Sequence, residues 1–507
     1  MAWIDEGRAV LAKVIDVRPQ ERVALSWSFA MFLAVLASYF TVRPVREMMG
    51  ASLDKGELGQ LFTVVFVVMV ALIPLFGYVA TRFARRHVLP AVYAFFIANL
   101  VAFAVAMNAT PGAIPAWLAA TFFVWVSVYN LFVVSLFWSL MSDRWSSDEG
   151  KRLFGVIAAG GTVGALLGPL VAGQLVGVIG TANLPLVSAG FLGLALVASF
   201  KLSYAGDVTK SGAEKPPATL AQIIEGATHV LKSPYLGRIA LVILLANLVS
   251  TFFYLEQSRL VKATIADKTA QVEFFASRDL IVSVVTTLVQ LLGTAAILKR
   301  FGLTAALAAL PLVCIVGLLV IGTVPTLAVV SGVMAFERIV AFGLAGPAMR
   351  VLYTVVAPDE KYKAQNFIDT VVYRGGDAMS GWMFAAFGAM ALSPWMMIAL
   401  TMPFAVAWLW SCMGLGAMQE ERAKAGLSGN DLGSNESIQN IKALPPPKTW
   451  REILGVSGAA TEADIDSAFR KASKRVHPDV EGGSNARMSE LSAARDEGIK
   501  AVKRPKS

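Results

Sequence analysis

Cysteine, histidine and charge are all scarce in this chain. Its 507 residues include two cysteines and three histidines, and only 16% are Asp, Glu, Lys or Arg. Cys314 and Cys412 both fall inside apolar runs, which excludes a disulfide-stapled scaffold and reads as two small packed hydrophobes. His87 and His229 lie in or near loops without metal-ligand spacing, so they read as solvated and no metal or other cofactor is expected. A chain with so little charge cannot cover the surface of a soluble fold of this length. No strand-length alternation suggests a membrane barrel. A phosphate loop is missing as well. Gly160, Gly161, Gly164 and Gly168 follow no strand and lack Gly-Lys-Ser/Thr, so they read as a helix-packing seam and not as the site of an ATP-driven pump or another enzyme.

What the chain has instead is hydrophobic length. Hydrophobic residues make up 56% of it, gathered in runs of about 20, enough to cross a hydrocarbon core of roughly 30 Å as helices. The first run begins near Ala24 with no small-residue cleavage site after it and reads as a retained helix. The pattern predicts an all-α polytopic membrane protein with about twelve spans. Six lie near 24–42, 57–81, 88–107, 113–141, 153–179 and 184–204. Six more lie near 236–257, 276–298, 302–322, 326–350, 364–391 and 394–417. The implied domains are a six-helix half over 1–205, a polar link over 206–235, a second half over 236–418, a flexible linker over 419–447 and a small soluble module over 448–507.

Loop charge predicts the orientation. Arg18, Arg22, Arg82, Arg85, Arg86, Lys151, Arg152, Lys299, Arg300, Lys361 and Lys363 fall in alternate loops, whereas the loops near 108–116, 180–185, 322–326 and 391–395 carry no charge. Basic loops stay inside, so both termini are expected in the cytoplasm, at a bacterial inner membrane. The net charge of +9 fits such loops; no clustered basic face outside the tail suggests nucleic acid as a partner.

The halves echo one another. Gly77 to Arg86 is matched by Gly293 to Gly302, Asp148-Glu149-Gly-Lys151 by Asp359-Glu360-Lys361, and Ser38 to Arg46 by Thr251 to Arg259. A six-plus-six duplication is how the major facilitator architecture is built, with the substrate at mid-membrane between the halves. Gly77…Arg82…Arg85-Arg86 resembles the basic loop after helix two of those transporters, with Thr81 where an acid is usual. Lys151 to Pro169, Glu360 to Asp377 and Tyr39 to Glu47 together resemble the bacterial branch related to ATP/ADP translocases, the nucleotide exchange transporters, over roughly residues 20–420. That resemblance implies exchange or ion-coupled transport of a phosphorylated, nucleotide-like anion. Where the exchangers typically place a lysine in helix one, this chain has Arg43 and Arg46.

Ionisable groups at membrane depth cost about 2.5–3.5 kcal/mol each on insertion scales, so they are functional candidates. Arginine meets phosphate oxygens with a two-pronged fork, and Arg338, Arg374, Arg46, Arg43 and Arg259 are the candidate substrate-binding residues. Glu47, Glu256, Glu337, Asp369 and Asp377 are the candidates for balancing them or coupling protons. Arg374 and Asp377 are three apart and can pair locally; Glu337 and Arg338 point about 100° apart and cannot face each other. The alternative for Arg46–Glu47 and Glu256–Arg259 is a latch at the membrane surface.

The tail reads separately. Pro445-Pro-Pro447 ends a Gly/Ser/Asn-rich linker, and Trp450-Arg-Glu-Ile-Leu-Gly-Val456 precedes a capping box, Thr461-Glu-Ala-Asp464. An apolar stripe of Ile465, Ala468, Phe469, Ala472 and Val476 follows, with Pro478 stopping the helix and Met488, Leu491, Ala494 and Ile499 packing back on it. With His477-Pro478-Asp479, the segment resembles a J domain. The resemblance implies a DnaK-class ATPase chaperone as partner, met by His477, Pro478, Asp479, Arg470, Lys471, Lys474 and Arg475. Membrane lipids and an anionic small molecule are the other expected partners. The rival readings are a membrane-anchored co-chaperone and a carrier of lipids or other amphipathic anions.

Overall fold

A computed structural model describes residues 17–53, 55–82, 85–110, 114–145, 147–204, 220–356, 358–390, 393–424, 450–457 and 460–476, and parts of 491–502. The chain divides into two compact units, Met1–Gly433 and Ser434–Ser507.

All regular structure among the described residues is helical. The first unit begins with α1 (Arg22–Ser52), α2 (Lys55–Arg82), α3 (Arg85–Asn108), α4 (Ala116–Arg144), α5 (Ser147–Ile179) and α6 (Leu184–Tyr204). A short α7 (Leu220–Lys232) precedes α8 (Pro234–Thr264), α9 (Lys268–Leu292) and α10 (Thr294–Thr323). The rod α11 runs through Leu327–Val340, a π turn over Ala341–Ala345 and Gly346–Leu352, and α12 runs through Pro358–Phe367, a π turn over Ile368–Val372 and Tyr373–Ala389. α13 (Pro394–Lys424) closes the unit. Ten of these helices are long and apolar enough to cross a membrane. The expected spans at 57–81 and 364–391 are also helical, as α2 and α12.

One expected boundary holds and one moves. The ninth span, expected at 302–322, matches the helix that follows the break at Gly302, whose φ of +79° suits a residue without Cβ. The eighth was expected from 276, but α9 starts at Lys268 because the Asp267 side chain accepts from the Ala270 amide at 2.8 Å and caps it. The polar link also differs from expectation, since its second part folds as α7 against the start of α12. Gly226 allows the close approach, because a Cβ there would strike the Lys363 carbonyl. Lys363 bonds Glu225 and holds that carboxyl below its ordinary value. His229 is not simply solvated: its ring nitrogens lie 3.8 Å from Glu225 and 3.7 Å from Glu360.

The first half is organised on α1. Gly160, Gly161, Gly164 and Gly168 of α5 lie against Phe29, Phe32, Leu33 and Phe40 of α1, so closely that any Cβ would meet a backbone carbonyl or a ring. This is the small-residue packing that lets helices associate where the hydrophobic effect no longer drives them. A buried polar knot adds direction: Ser38 Oγ lies 2.5 Å from the Tyr129 hydroxyl and 2.7 Å from the Ser188 hydroxyl, tying α1 to α4 and α6. The halves meet through α2 and α12, where Gly59 and Gly381 face each other backbone to backbone, and through α5 and α9, where Gly173 faces Ala276. Trp382 donates to Thr63 at 2.6 Å across the first of these seams.

The second unit has a small core of its own. Trp450 and Leu454 of α14 (Trp450–Leu454) pack with Ile465 of α15 (Glu462–Val476), Leu491 and Ala494, flanked by Ala468, Phe469, Ala472 and Ile499. Gly455 turns the chain between α14 and Val456 at φ +65°. Thr461 caps α15: its amide donates to Asp464 at 2.9 Å, and its hydroxyl accepts from the Asp464 amide at 3.4 Å. The Thr461 hydroxyl, 2.6 Å from the Asp464 carboxylate, and then its amide hold that carboxyl below its ordinary value.

Two outcomes test these assignments. Gly164→Leu should abolish the ordered bundle or lower its melting temperature sharply in detergent, since overpacking against an unyielding backbone costs about 1–3 kcal/mol or more. Thr461→Ala should cost about 1 kcal/mol, read as a several-fold loss of hydrogen-exchange protection at the first amides of α15 in the full-length protein.

Candidate functional site

The first unit encloses a cavity of about 550 Å³ between helices of both halves. α1 contributes Tyr39, Arg43, Arg46 and Glu47, and α2 contributes Phe62; α8 adds Asn247, Ser250, Thr251 and Tyr254. α11 and α12 complete the wall with Glu337, Arg338, Arg350, Tyr353, Asp369, Tyr373, Arg374 and Asp377. Eight of the ten residues expected to bind or balance a substrate therefore line one space.

The remaining two do not. Glu256 and Arg259 bond each other on the last turns of α8 and are not part of the cavity lining. Nearby, Lys262 donates to the Leu53 carbonyl at 3.2 Å and Lys268 to Ser52 at 2.9 Å, so this region ties α1 to α8 and α9 at one end of the bundle.

Three residues absent from the expected set matter most. Arg278 and Asp279 lie ten residues inside α9, both buried. Asp279 carries three guanidiniums: Arg278 at 2.7 Å, Arg338 at 3.5 Å and, from the other half, Arg43 at 3.5 Å. Arg278 also bonds Gln257, which donates to Ser331 at 3.0 Å. Glu47 lies 3.0 Å from Arg46 and 4.0 Å from Arg43. Arg350 was expected at the last position of a span, but α11 continues to Leu352 and leaves it on the cavity wall. Both fall in the first turn of the expected eighth span, 276–298, so their charge at membrane depth was the signal that would have found them; the Asp267 cap, which moves the helix start outward by two turns, places them deeper still.

The charge is uneven. Among the described residues, the ion pairs of Arg43, Arg46, Arg278 and Arg338 go to Glu47 and Asp279, with the charges of Glu337 and Asp377 also acting on Arg338 and Arg46. Across the cavity, Glu337 accepts from Ser250 at 2.8 Å, and Arg374 and Asp377 are 3.4 Å apart, the local pair their spacing predicts. Glu337 and Arg338 do not pair with each other; they take Ser250 and Asp279 respectively. Arg46 also lies over the Phe123 ring, 3.9 Å from its centroid. The Tyr353 hydroxyl has no hydrogen-bond partner among the described residues.

Both π turns fall in the helices that line the cavity. The Gly343 carbonyl accepts from Thr294 at 2.5 Å and the Phe342 carbonyl from Gln290 at 3.0 Å, while Asn247 donates to the Tyr373 carbonyl at 2.7 Å. Backbone groups that would be costly unpaired in lipid are thus taken by side chains, and the wider turns re-aim the arginines on either side of them. Among the described residues, no group of three or more His, Cys, Asp or Glu is placed to hold a metal ion.

In the second unit, Arg470, Lys471 and Lys474 are exposed on α15, and Arg475 lies on the same helix. His477, Pro478 and Asp479 lie outside the described residues.

Comparison with known proteins fits the first unit. A variant of the nucleoside transporter NupG superposes with a TM-score of 0.60 at 14% identity, covering 78% of this chain and 99% of that one. A bacterial homolog of the human lysosomal transporter Spinster, inward-facing and unoccupied, gives 0.51 at 15% identity over 80% and 96% of the two chains. Curated relatives match over short stretches. A tetratricopeptide repeat and J domain-containing co-chaperone, DNJ1, of Cryptococcus neoformans var. grubii is 36% identical over 78 residues, 15% of each chain. The chaperone protein DnaJ of Erysipelothrix rhusiopathiae is 43% identical over 49 residues, 9% of this chain and 13% of that one. The chain therefore spans only about a seventh of the length of these relatives. The Major Facilitator Superfamily model matches residues 23–381. On that match and this bundle, the chain belongs to the major facilitator superfamily.

Proposed function

We propose that the chain moves a phosphorylated, nucleotide-like anion through the cavity by alternating access of two six-helix halves, with twelve spans in all. The observation that carries this reading is the cluster of four arginines on two carboxylates. Buried arginines that outnumber the carboxylates they pair with are costly, and a phosphoryl group would supply further negative charge. Guanidinium forks bind such oxygens at two points. Arg338 and Arg43 are the leading contacts, since each shares Asp279 and opens on the cavity; Arg46, Arg350 and Arg374 extend the basic wall. Tyr39, Phe62 and Tyr254 supply ring faces that suit a base. The resemblance to ATP/ADP translocases and the fold shared with a nucleoside transporter agree with this substrate class.

Asp279 also gives a reason for the motion. It joins Arg43 of the first half to Arg278 and Arg338 of the second, so an anion that competes for these arginines loosens a bond between halves and couples binding to movement. Arg259 and Glu256 act as a latch at the end where α1 meets α8. With both termini cytoplasmic at a bacterial inner membrane, as the basic loops argue, the seams at Gly59–Gly381 and Ser52–Lys268 close the outer end and the state is inward-facing.

The second unit acts as a J domain, recruiting a DnaK-class chaperone through His477, Pro478 and Asp479 with the basic face of Arg470, Lys471, Lys474 and Arg475. The names of the short-stretch relatives and the packed core around Trp450 and Ile465 support this.

Purified protein in proteoliposomes should take up a labelled nucleotide or other phosphorylated solute from a panel; uptake of none by folded protein removes the proposal. Arg338→Gln should lower uptake about tenfold or more, as loss of a charge-assisted bond worth about 1.5–3 kcal/mol requires, whereas Arg259→Gln should leave the substrate affinity within about twofold. His477→Gln should abolish stimulation of a DnaK-class ATPase without changing uptake. If that change alone reproduces a gene deletion and Arg338→Gln does not, the membrane part is an anchor and the transport reading falls.

A further inference from the structure

We propose that α13 and the start of α8 hold one anionic phospholipid on the outside of the bundle, its acyl chain along α13 and its phosphate against Arg238 and Arg422. α13 packs on α8, and a surface groove runs along α13 lined by Ala399, Met402, Pro403, Val406, Ala407 and Trp410. Its walls are almost wholly carbon. The six positions are spaced i, i+3, i+4, i+7, i+8 and i+11, one face of a helix. At 1.5 Å per residue they span roughly 17 Å, about half of the ~30 Å hydrocarbon core and so the depth of one acyl chain. Pro403 inside the helix contributes a ring instead of an amide donor.

The groove ends at Trp410, and there the chemistry changes. Trp410 is exposed, with the Arg238 guanidinium 5.7 Å from its ring. Arg238 Nη1 donates to Met418 Sδ at 3.2 Å, a weak acceptor. It fits because residue 414 is glycine; a Cβ there would lie 2.7 Å from Nη1. One step further along the row Trp410, Gly414, Met418, Arg422, the Arg422 guanidinium lies over the Tyr235 ring at 4.4 Å. Neither arginine has a carboxylate within salt-bridge distance among the described residues, so sulfur and ring faces leave both charges uncompensated.

An apolar groove of acyl length, an indole at its mouth and two unpaired guanidiniums beyond it are the parts of a phospholipid in order. Indoles favour the headgroup level, and basic pockets between helices select anionic headgroups. A free phosphate would use the arginines and leave the groove unfilled. The site stands apart from the central cavity and does not depend on what the cavity carries.

The test uses full-length protein in a neutral detergent, melted with dioleoyl phosphatidylglycerol or dioleoyl phosphatidylcholine. Phosphatidylglycerol should raise the melting temperature clearly more than phosphatidylcholine. The combined Arg238→Gln and Arg422→Gln protein should lose that difference while melting unchanged without lipid. Ala407→Phe, which fills the groove and keeps both arginines, should weaken the effect. Native mass spectrometry of the unmodified protein gives a readout free of any folding defect: one phosphatidylglycerol retained against excess phosphatidylcholine supports the site. Equal response to the two lipids, a preference undiminished in the double variant, or a full effect in Ala407→Phe each overturns it.

Discussion

Asp279 is the point on which the interior of this bundle turns. A carboxylate buried in the membrane part of a protein is expensive unless cations meet it, and here three guanidiniums from three helices do so. Each arginine is in turn tolerable only because the acid is there. With Glu47 the group makes a network that is still short of negative charge, and that shortfall gives the cavity its character. The same carboxylate bridges the halves, so on the proposed function, binding an anion and separating the halves would draw on one set of contacts.

The packing around the network is built to hold it while leaving room to move. Within the first half, the glycine seam of α5 on α1 fixes the helix that carries Arg43, Arg46 and Glu47. Between halves, the seams are narrower and made of small residues at Gly59, Gly381 and Gly173. Small residues allow close approach but bury little side chain, so these seams can part more readily than the interlocked α1–α5 pair. The π turns in α11 and α12 add local width where arginines must reach the cavity, with their carbonyls taken by Thr294, Gln290 and Asn247.

Much of this was legible in the chain. The apolar runs, the Gly160 to Gly168 seam, the Thr461 cap and eight of ten candidate site residues were visible as patterns of local spacing. What escaped shows the limits of such patterns. Arg278 and Asp279 fell at the very start of the expected eighth span, where charge reads as the edge of a loop, and the Asp267 cap shows that α9 begins two turns earlier. Arg259 and Glu256 carried the same local signature as Arg43 and Glu47, yet their pair lies outside the cavity, which no spacing within one helix could reveal. The folded α7 in the polar link was missed because its tight contact, Gly226 on Lys363, is with another helix.

By itself, the sequence determined the class of molecule, because in lipid every backbone amide must be satisfied within its own segment and long apolar runs must become helices. That requirement is local, so it can be read locally. Which charges face one another was decided only by the tertiary structure. Arg43, Asp279 and Arg338 come from helices far apart in the chain, and a Coulomb interaction depends on distance in space. The same holds for Arg238 beside Trp410: each looks ordinary in its own helix, and the site exists only because α13 lies against α8.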